Sequence, residues 1–456
     1  MPKLVVHDRT VGCGIAGSNL IPRATLTDTV LTALEVFLPT VAKGAIVRRP
    51  AVMSLAGRLD IDRRAKQRMQ RLRRKYGTGP LLLHIMGRRV ALLFAPVDVN
   101  RVLAETPEPF ATATPEKTAA LAHFEPKGSL ISRGEERQER RRFNETVLET
   151  CQPVHRLAGA FSRTVASELG QLYGMRSRTE LTWNHFAGVW FRIVRQVIFG
   201  KAARDDEGLS SVMSRLRHAA NWAFLIPQNP RLRRELLNRI DAYLRIAEPE
   251  SLVAAAPHIP ITGITHPEQQ IPQWLFAFDA AGMAAFRTLA LLASHPNEMK
   301  LAREEIATSR GEHFLPFLRA AVLDAIRLWP TTPLVLRETD TETHWRTGIM
   351  PARTTVAIFT PFFHRDDERL AYADQFSPQL WRDGDAPHRD GLIPFSEGSA
   401  ACPGRELVLL LTTEVIRNLL SNTEIHLRRP CCVDKNRALP STLNHFALRF
   451  ELRPIS

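Results

Sequence analysis

Cysteine is scarce in this sequence, five among 456 residues, and its spacing excludes more than it offers. Cys13, Cys151, Cys402, Cys431 and Cys432 are odd in number, contain no C-x-x-C pair and end in two adjacent residues. Neither a disulfide framework nor a zinc site is indicated, which fits a reducing compartment. Gly/Ser/Pro-rich linkers, internal repeats and low-complexity blocks are also missing. Residues 1–456 are therefore read as one large domain, with residues 1–60 an amphipathic lead-in packed on it. The opening Met1-Pro-Lys-Leu-Val-Val-His-Asp-Arg9 lacks the apolar run of a signal peptide. Residues 25–46 are apolar but broken by Asp28, Glu35, Pro39 and Lys43, so no transmembrane segment is expected there. Such a lead-in usually packs on its domain and only occasionally touches a membrane surface. A soluble, cytoplasmic protein is expected.

Acidic residues are the minority among charges: 47 Asp and Glu against 61 Lys and Arg give a formal net charge of +14. The basic residues are scattered, and no helix-turn-helix, zinc-finger or aromatic-rich ribonucleoprotein pattern accompanies them, so nucleic acid is not an expected partner. A basic surface suits an acidic protein partner, because electrostatic steering speeds weak encounters. Hydrophobic content of 44% is ample for a core.

Periodicity gives the fold class. Leu81–Met86 and Val90–Phe94 read as short strands around a turn at Gly87-Arg-Arg89. Asp98–Glu105 returns to helical spacing, helical patterns dominate residues 134–329, and Leu443–Arg453 alternates like a strand. The chain is expected to be mainly α with minor β.

The most specific feature is Phe395-Ser-Glu-Gly398-Ser-Ala-Ala-Cys402-Pro403-Gly404. Glycines remove the Cβ atoms that would keep a thiolate from approaching a flat cofactor. A free cysteine is ordinarily a small buried apolar residue, but F-x-x-G-x-x-x-C-x-G arises by chance in only roughly 7 of 10,000 chains of this composition. The stretch resembles the haem-binding loop of the cytochrome P450 superfamily, in the manner of its bacterial-type soluble haem-thiolate monooxygenases. That resemblance implies the P450 fold in a single large haem domain and haem b, iron protoporphyrin IX. It makes Cys402 the axial iron ligand, a thiolate that pushes electron density toward bound oxygen. Phe395 would lie against the sulfur, and Gly398 and Gly404 would pack on the porphyrin and leave backbone N–H groups free to tune the thiolate. Ala400 departs from the pattern, which usually has Arg or His there as a partner for a haem propionate.

Three further segments carry the resemblance. Asp324-Ala-Ile-Arg327 lies in a helical run stopped by Pro330, and residues three apart share a helical face. It is similar to the family's E-x-x-R pair, with Asp in place of Glu, which braces the haem-side core. The third member of that brace would come from Phe376-Ser-Pro378-Gln-Leu-Trp381, where Leu380 replaces a common arginine and Arg382 is a candidate substitute. Prolines 330 and 333 force an extended path toward Arg337, which the family pattern pairs with a propionate. Arg137 and Arg141 lie four apart on one helical face, where like charges repel unless an anion sits beside them. The resemblance implies propionate contacts for both, which would offset the base missing at Ala400.

The apolar run Trp274–Ser294 is long enough to span a membrane, but Asp279 and Arg287 would be costly in lipid, so a core helix is expected. It resembles the helix over the distal face of the haem, commonly A-G-x-acid-Thr. Ala281 and Gly282 match and would leave room for oxygen, while Ala284 and Ala285 replace the acid and alcohol that help deliver protons. Thr288 and Asp279 are candidate replacements, beside a water chain or a substrate hydroxyl. Arg287, about 200° around the helix from Ala285, is expected to point away from the pocket. The pocket walls expected by position are 111–131, 221–230, 277–285, 332–335 and 440–446, mainly apolar, and imply a small apolar or amphipathic substrate.

Three functions remain open. The first is a monooxygenase inserting one atom of O2, fed by a separate ferredoxin or flavodoxin and its NAD(P)H-dependent reductase, since nothing resembles a dinucleotide-binding unit. The second is a peroxide-dependent or O2-independent haem-thiolate enzyme, such as a peroxygenase, isomerase or dehydratase. The third is a non-catalytic haem-binding sensor or carrier.

Overall fold

The alternation of apolar and basic residues in Ile61–Tyr76 turns Ala65, Met69 and Leu72 inward and leaves most of its arginines toward solvent, and Gly77 ends the helix at φ +88°. The same logic forms the other helices of this computed structural model, which describes residues 20–174, 180–309, 311–382, 386–430, 433–435 and 437–455. Residues 1–19 of the lead-in, with Cys13, Cys431 and Cys432, lie outside the described residues. Thr25 starts the described lead-in by capping Leu26–Thr32, its hydroxyl accepting from Asp28 N at 3.2 Å. A π-helical turn, Ala33–Phe37, and the helix Leu38–Ala42 follow.

The chain is mainly helical with small sheets, as the periodicity requires. Ten strands form three sheets: β1 Leu81–Ile85, β2 Arg88–Leu92, β3 Phe110–Ala111, β4 Glu180–Thr182, β5 Leu334–Thr339, β6 Thr343–Trp345, β7 Gly348–Met350, β8 Thr355–Phe359, β9 Thr423–Arg429 and β10 Arg449–Pro454. The first sheet has the order β1-β2-β8-β5-β3. Its β1–β2 hairpin pairs Leu81 with Leu92 and turns through Met86 and Gly87, both at positive φ, as a two-residue turn between right-twisted strands requires. β10 lies between β4 and β9, and β6 pairs with β7. The strand expected from Leu443 begins only at Arg449, because His445–Ala447 close a 3-10 turn whose start Asn444 caps by accepting from Phe446 N at 3.2 Å.

Ile271–Ser294 runs through the main core against the helices Trp183–Phe199, Pro316–Leu328 and Arg405–Asn422. It is apolar and long enough to cross a membrane, yet 72% of its apolar window is buried inside the protein. Its two charges are met by protein groups. Asp279 pairs with Arg217, and Arg287 donates to the carbonyls of Trp329 and Leu443. A second core lies under the five-stranded sheet, and Leu334, Val335 and Leu336, just before Arg337, pack in it.

Candidate active site

The cysteine loop is fixed by its own backbone. Cys402 N donates to Phe395 O at 2.8 Å and Arg405 N to Cys402 O at 3.3 Å, after which the chain enters the helix Arg405–Asn422. The thiol thus sits at a helix N-terminus, where exposed N–H groups and the dipole favour an anion. Burial raises the thiol's pKa, while the Gly404 N–H and the charges of Arg141 and Arg405 pull it down; burial wins. A thiol in this setting becomes a full thiolate when a metal displaces its proton, so the donor suits an iron ligand. Gly398 is explained without a cofactor. Its φ is +67°, and a Cβ there would stand 2.2 Å from Leu103 O, so the protein's own backbone demands it. Gly404 is different, because a Cβ there would meet only Leu148 Cδ1, at 3.8 Å, which leaves that face free for a flat ligand.

Beside the loop gather cations that make no ion pair among the described residues. Arg137 is 7% exposed and donates to Ser399 O at 2.9 Å, one residue before Ala400. Arg337, 3% exposed, donates to Thr106 Oγ1 at 3.1 Å, to its neighbour's carbonyl Leu336 O at 2.9 Å and to Ser396 Oγ at 3.3 Å. Neither has an ion pair among the described residues. Burial, and then the charge of Arg137, push the pKa of Arg337 down to about 10. Lys117 donates to Thr112 O at 3.0 Å and Leu336 O at 2.8 Å, and burial with the charge of Arg337 drives its pKa well below the ordinary lysine value. Buried Arg137 and Arg337 and half-buried Lys117 repel one another, and a bound anion would relieve that repulsion. Arg141 donates from Nε to Glu145 Oε1 at 2.5 Å, and its charge also acts on Cys402.

The brace behind the loop is complete but differently built than expected. Asp324 and Arg327 have fully buried side chains, paired at 2.5 Å (Nε to Oδ1) and 3.1 Å (Nη2 to Oδ2). Arg327 also donates to the carbonyls of His364, Ala373 and Gln375, at 3.2, 3.1 and 2.6 Å. Asp324 accepts from Ser377 N at 2.7 Å and Trp381 Nε1 at 3.0 Å. The indole N–H takes the place of the missing arginine. Arg382 is exposed and does not substitute.

On the distal helix, Ala281, Ala284 and Ala285 are buried. Packing alone already demands glycine at 282. Trp190 Nε1 donates to Phe278 O at 2.7 Å, and a Cβ at Gly282 would stand 2.8 Å from that nitrogen. The Thr288 hydroxyl is fully buried and donates to Ala284 O at 2.8 Å, so its proton is held by the helix itself. Asp279 is taken by Arg217. Arg287 is buried and donates to Leu443 O at 3.1 Å, in the stretch 440–446 that the sequence reading proposed as a pocket wall.

The family model for cytochrome P450 matches residues 277–441. Among curated proteins, the drimenol monooxygenase of Persicaria hydropiper is 31% identical over 169 residues, 34% of this chain and 32% of that protein. The beta-amyrin 24-hydroxylase of Glycine max is 28% identical over 151 residues, 29% of each chain. These matches span about a third of the relatives' length. Among solved structures, a retinoic acid-bound cyanobacterial CYP120A1 superposes with a TM-score of 0.67 at 18% identity, covering 85% of this chain and 94% of that one. Residues 277–441 match the cytochrome P450 family, and the chain has the cytochrome P450 fold. That family implies a haem-iron group, and the open face at Gly404, the thiol at a helix N-terminus and the cations without ion pairs fit one. Two residues that matter here escaped the sequence reading. Lys117 was only one position in an expected wall, and no spacing signals a half-buried amine beside other cations. Trp381 was visible in the F-x-P-x-x-W stretch, but a search for a third charge passed over a neutral donor.

Proposed function

We propose that this cytochrome P450 is a monooxygenase that inserts one atom of O2 into a small apolar or amphipathic substrate. Haem b held by Cys402 would supply oxygen activation. The observation that carries the reading is the cluster of buried Arg137 and Arg337 and half-buried Lys117 beside the Cys402 loop, cations that two propionates would neutralise. Phe395 and Gly404 would frame the group, and Asp324 with Arg327 would brace the core behind it. The names of the relatives, a drimenol monooxygenase and a beta-amyrin 24-hydroxylase, support oxygen insertion. Electrons would come from a separate ferredoxin or flavodoxin and its NAD(P)H-dependent reductase, in the cytoplasm, and one haem domain would extend over residues 1–456. Ala284 and Ala285 hold no proton, and Thr288 spends its own on Ala284 O, so the substrate or ordered water must supply protons. That same feature supports a second reading, a peroxide-dependent or O2-independent haem-thiolate enzyme, which needs no such relay.

The reduced, carbon-monoxide-bound protein should show the red-shifted Soret band of a thiolate-ligated haem, and Cys402→Ser should abolish it. A histidine-type spectrum would refute the assignment. Turnover is then compared with reductase plus O2, with peroxide alone and with neither. Product from peroxide alone selects the second reading, and tight haem binding without any product selects a sensor or carrier.

A further inference from the structure

The helix Ile61–Tyr76 carries two stripes side by side. Ala65, Met69 and Leu72 face the core beneath the five-stranded sheet, and Lys66, Gln70 and Arg73, each one residue later, lie about 100° further round. Steps of four and three residues keep this second stripe on one face. It meets a single acidic loop. Lys66 Nζ pairs with Asp367 at 3.0 Å and reaches Asp374 at 3.8 Å, and Gln70 Nε2 donates to Asp366 at 3.0 Å and Asp367 at 2.7 Å. Arg73 pairs with Asp366, and with Glu368 at 2.6 Å. Exposed ion pairs contribute little. This set differs because Lys66, Gln70 and Asp366 are all buried, and removing one partner of a buried pair strands the other.

The loop, residues 364–375, is closed at its base. Arg365 pairs with Asp374 at 2.5 Å, and Arg327 donates to carbonyls at both ends, His364 O on one side and Ala373 O and Gln375 O on the other. The first end leads to the cysteine loop. His364 Nε2 accepts from Ile393 N at 2.9 Å, two residues before Phe395, whose carbonyl accepts from Cys402 N. Hydrogen bonds and short chain segments thus run without a gap from the helix Ile61–Tyr76, through this loop, to the Asp324–Arg327 brace and to the backbone of Cys402. Two sets of bonds hold the loop, Arg327 and the Arg365–Asp374 pair at its base and the polar stripe at its outer bend.

We propose that Lys66, Gln70 and Arg73 are positioning residues for the thiolate: they fix the 364–375 loop, and through His364 and Arg327 that loop holds the Cys402 segment in its ligating geometry. The inference rests on the reading of Cys402 as the haem ligand, and it gives a helix distant in sequence a part in keeping that ligand in place. Loosening the outer bend should release the thiolate before the chain unfolds.

The test uses the haem-loaded protein, reduced and bound to carbon monoxide, in urea below its unfolding transition, and follows the decay of the red-shifted Soret band. Lys66→Met, which keeps the apolar stem and deletes the charge, should speed that decay at least about fivefold. Gln70→Leu, which deletes a neutral donor, should speed it about threefold. Arg68→Met is the control, because Arg68 is also buried in this helix but pairs with Glu35 at 2.7 Å and Asp28 at 3.7 Å, away from the loop. It should lower the urea midpoint of the circular dichroism transition and keep the decay within about twofold of the wild type. The proposal is overturned if Gln70→Leu or a folded Lys66→Met decays at the wild-type rate, or if Arg68→Met decays as fast as they do, which would mark a merely structural helix. Should Lys66→Met yield no folded protein, Gln70→Leu alone decides by the same rates. A wild type without the red-shifted band would instead refute the ligand assignment, so the two failures give different results.

Discussion

Arg337 concentrates the logic of the site in one side chain. It is held by Thr106, Leu336 and Ser396, all neutral, and it faces the charges of Arg137 and Lys117. Removing one of three mutually repelling cations should therefore relieve the protein without haem and weaken the holoprotein. Arg337→Gln should bind haem at least about tenfold less tightly, by transfer of haem to a competing apoprotein, while the stability of the haem-free form is unchanged or raised by about 1 kcal/mol. If haem affinity stays the same and only folding suffers, the propionate role fails. Arg141, already paired with Glu145, should cost less haem affinity when changed to Gln than Arg137 or Arg337.

Two elements show how packing explains residues that look catalytic in sequence. The distal helix needs Gly282 because the Trp190 indole, pinned by its bond to Phe278 O, fills the Cβ position. Gly282→Ala should lose about 1–3 kcal/mol of stability through overpacking, and the cost should shrink in the Trp190→Phe background; calorimetric melting of the four proteins of the cycle measures it. The brace at the end of the helix Pro316–Leu328 makes the opposite point, that a neutral residue can do a charged residue's work. Trp381→Phe keeps the aromatic ring and deletes the N–H bonded to Asp324. It should cost about 1–3 kcal/mol, because a buried carboxylate loses a donor, and Leu380→Ala should cost less. Equal losses for both would show that the indole N–H contributes nothing.

Across the whole molecule, charge and proton uptake set the conditions under which the fold and its partner meet. His364 is fully buried beside Arg327 and accepts from Ile393 N at 2.9 Å, so its imidazole is neutral. Burial, and then the charge of Arg327, push its pKa down to about 3 from an ordinary 6.5. The unfolded chain takes up this proton between those values and the folded chain does not. Stability from this group is thus complete above about pH 6.5 and falls as the pH drops toward about 3, by at most about 1.4 kcal/mol per unit. Urea unfolding of the wild type and His364→Gln from pH 5 to 7 should show a shallower acid loss in the variant. The net charge of +14 acts at longer range: reduction by an acidic electron carrier should slow as ionic strength rises, and a rate indifferent to salt in stopped-flow mixing would argue for a different kind of partner surface.

The sequence by itself determined the fold class, the E-x-x-R-like pair and the candidate cysteine ligand, because each is written in local spacing. Cys402 lies seven positions after Phe395, Arg327 three after Asp324, and helical periodicity needs no distant partner. The strand ending was legible only in part, since Asn444 caps a turn that interrupts the alternation. Tertiary structure alone decided the rest. Whether Gly282 makes room for oxygen or for an indole depends on Trp190 from another helix. Whether a lysine is a solvated surface residue or stands beside another buried cation depends on Arg337, far away in the chain. Charges acquire their meaning from burial and from neighbours distant in sequence, and neither is recorded in the local pattern.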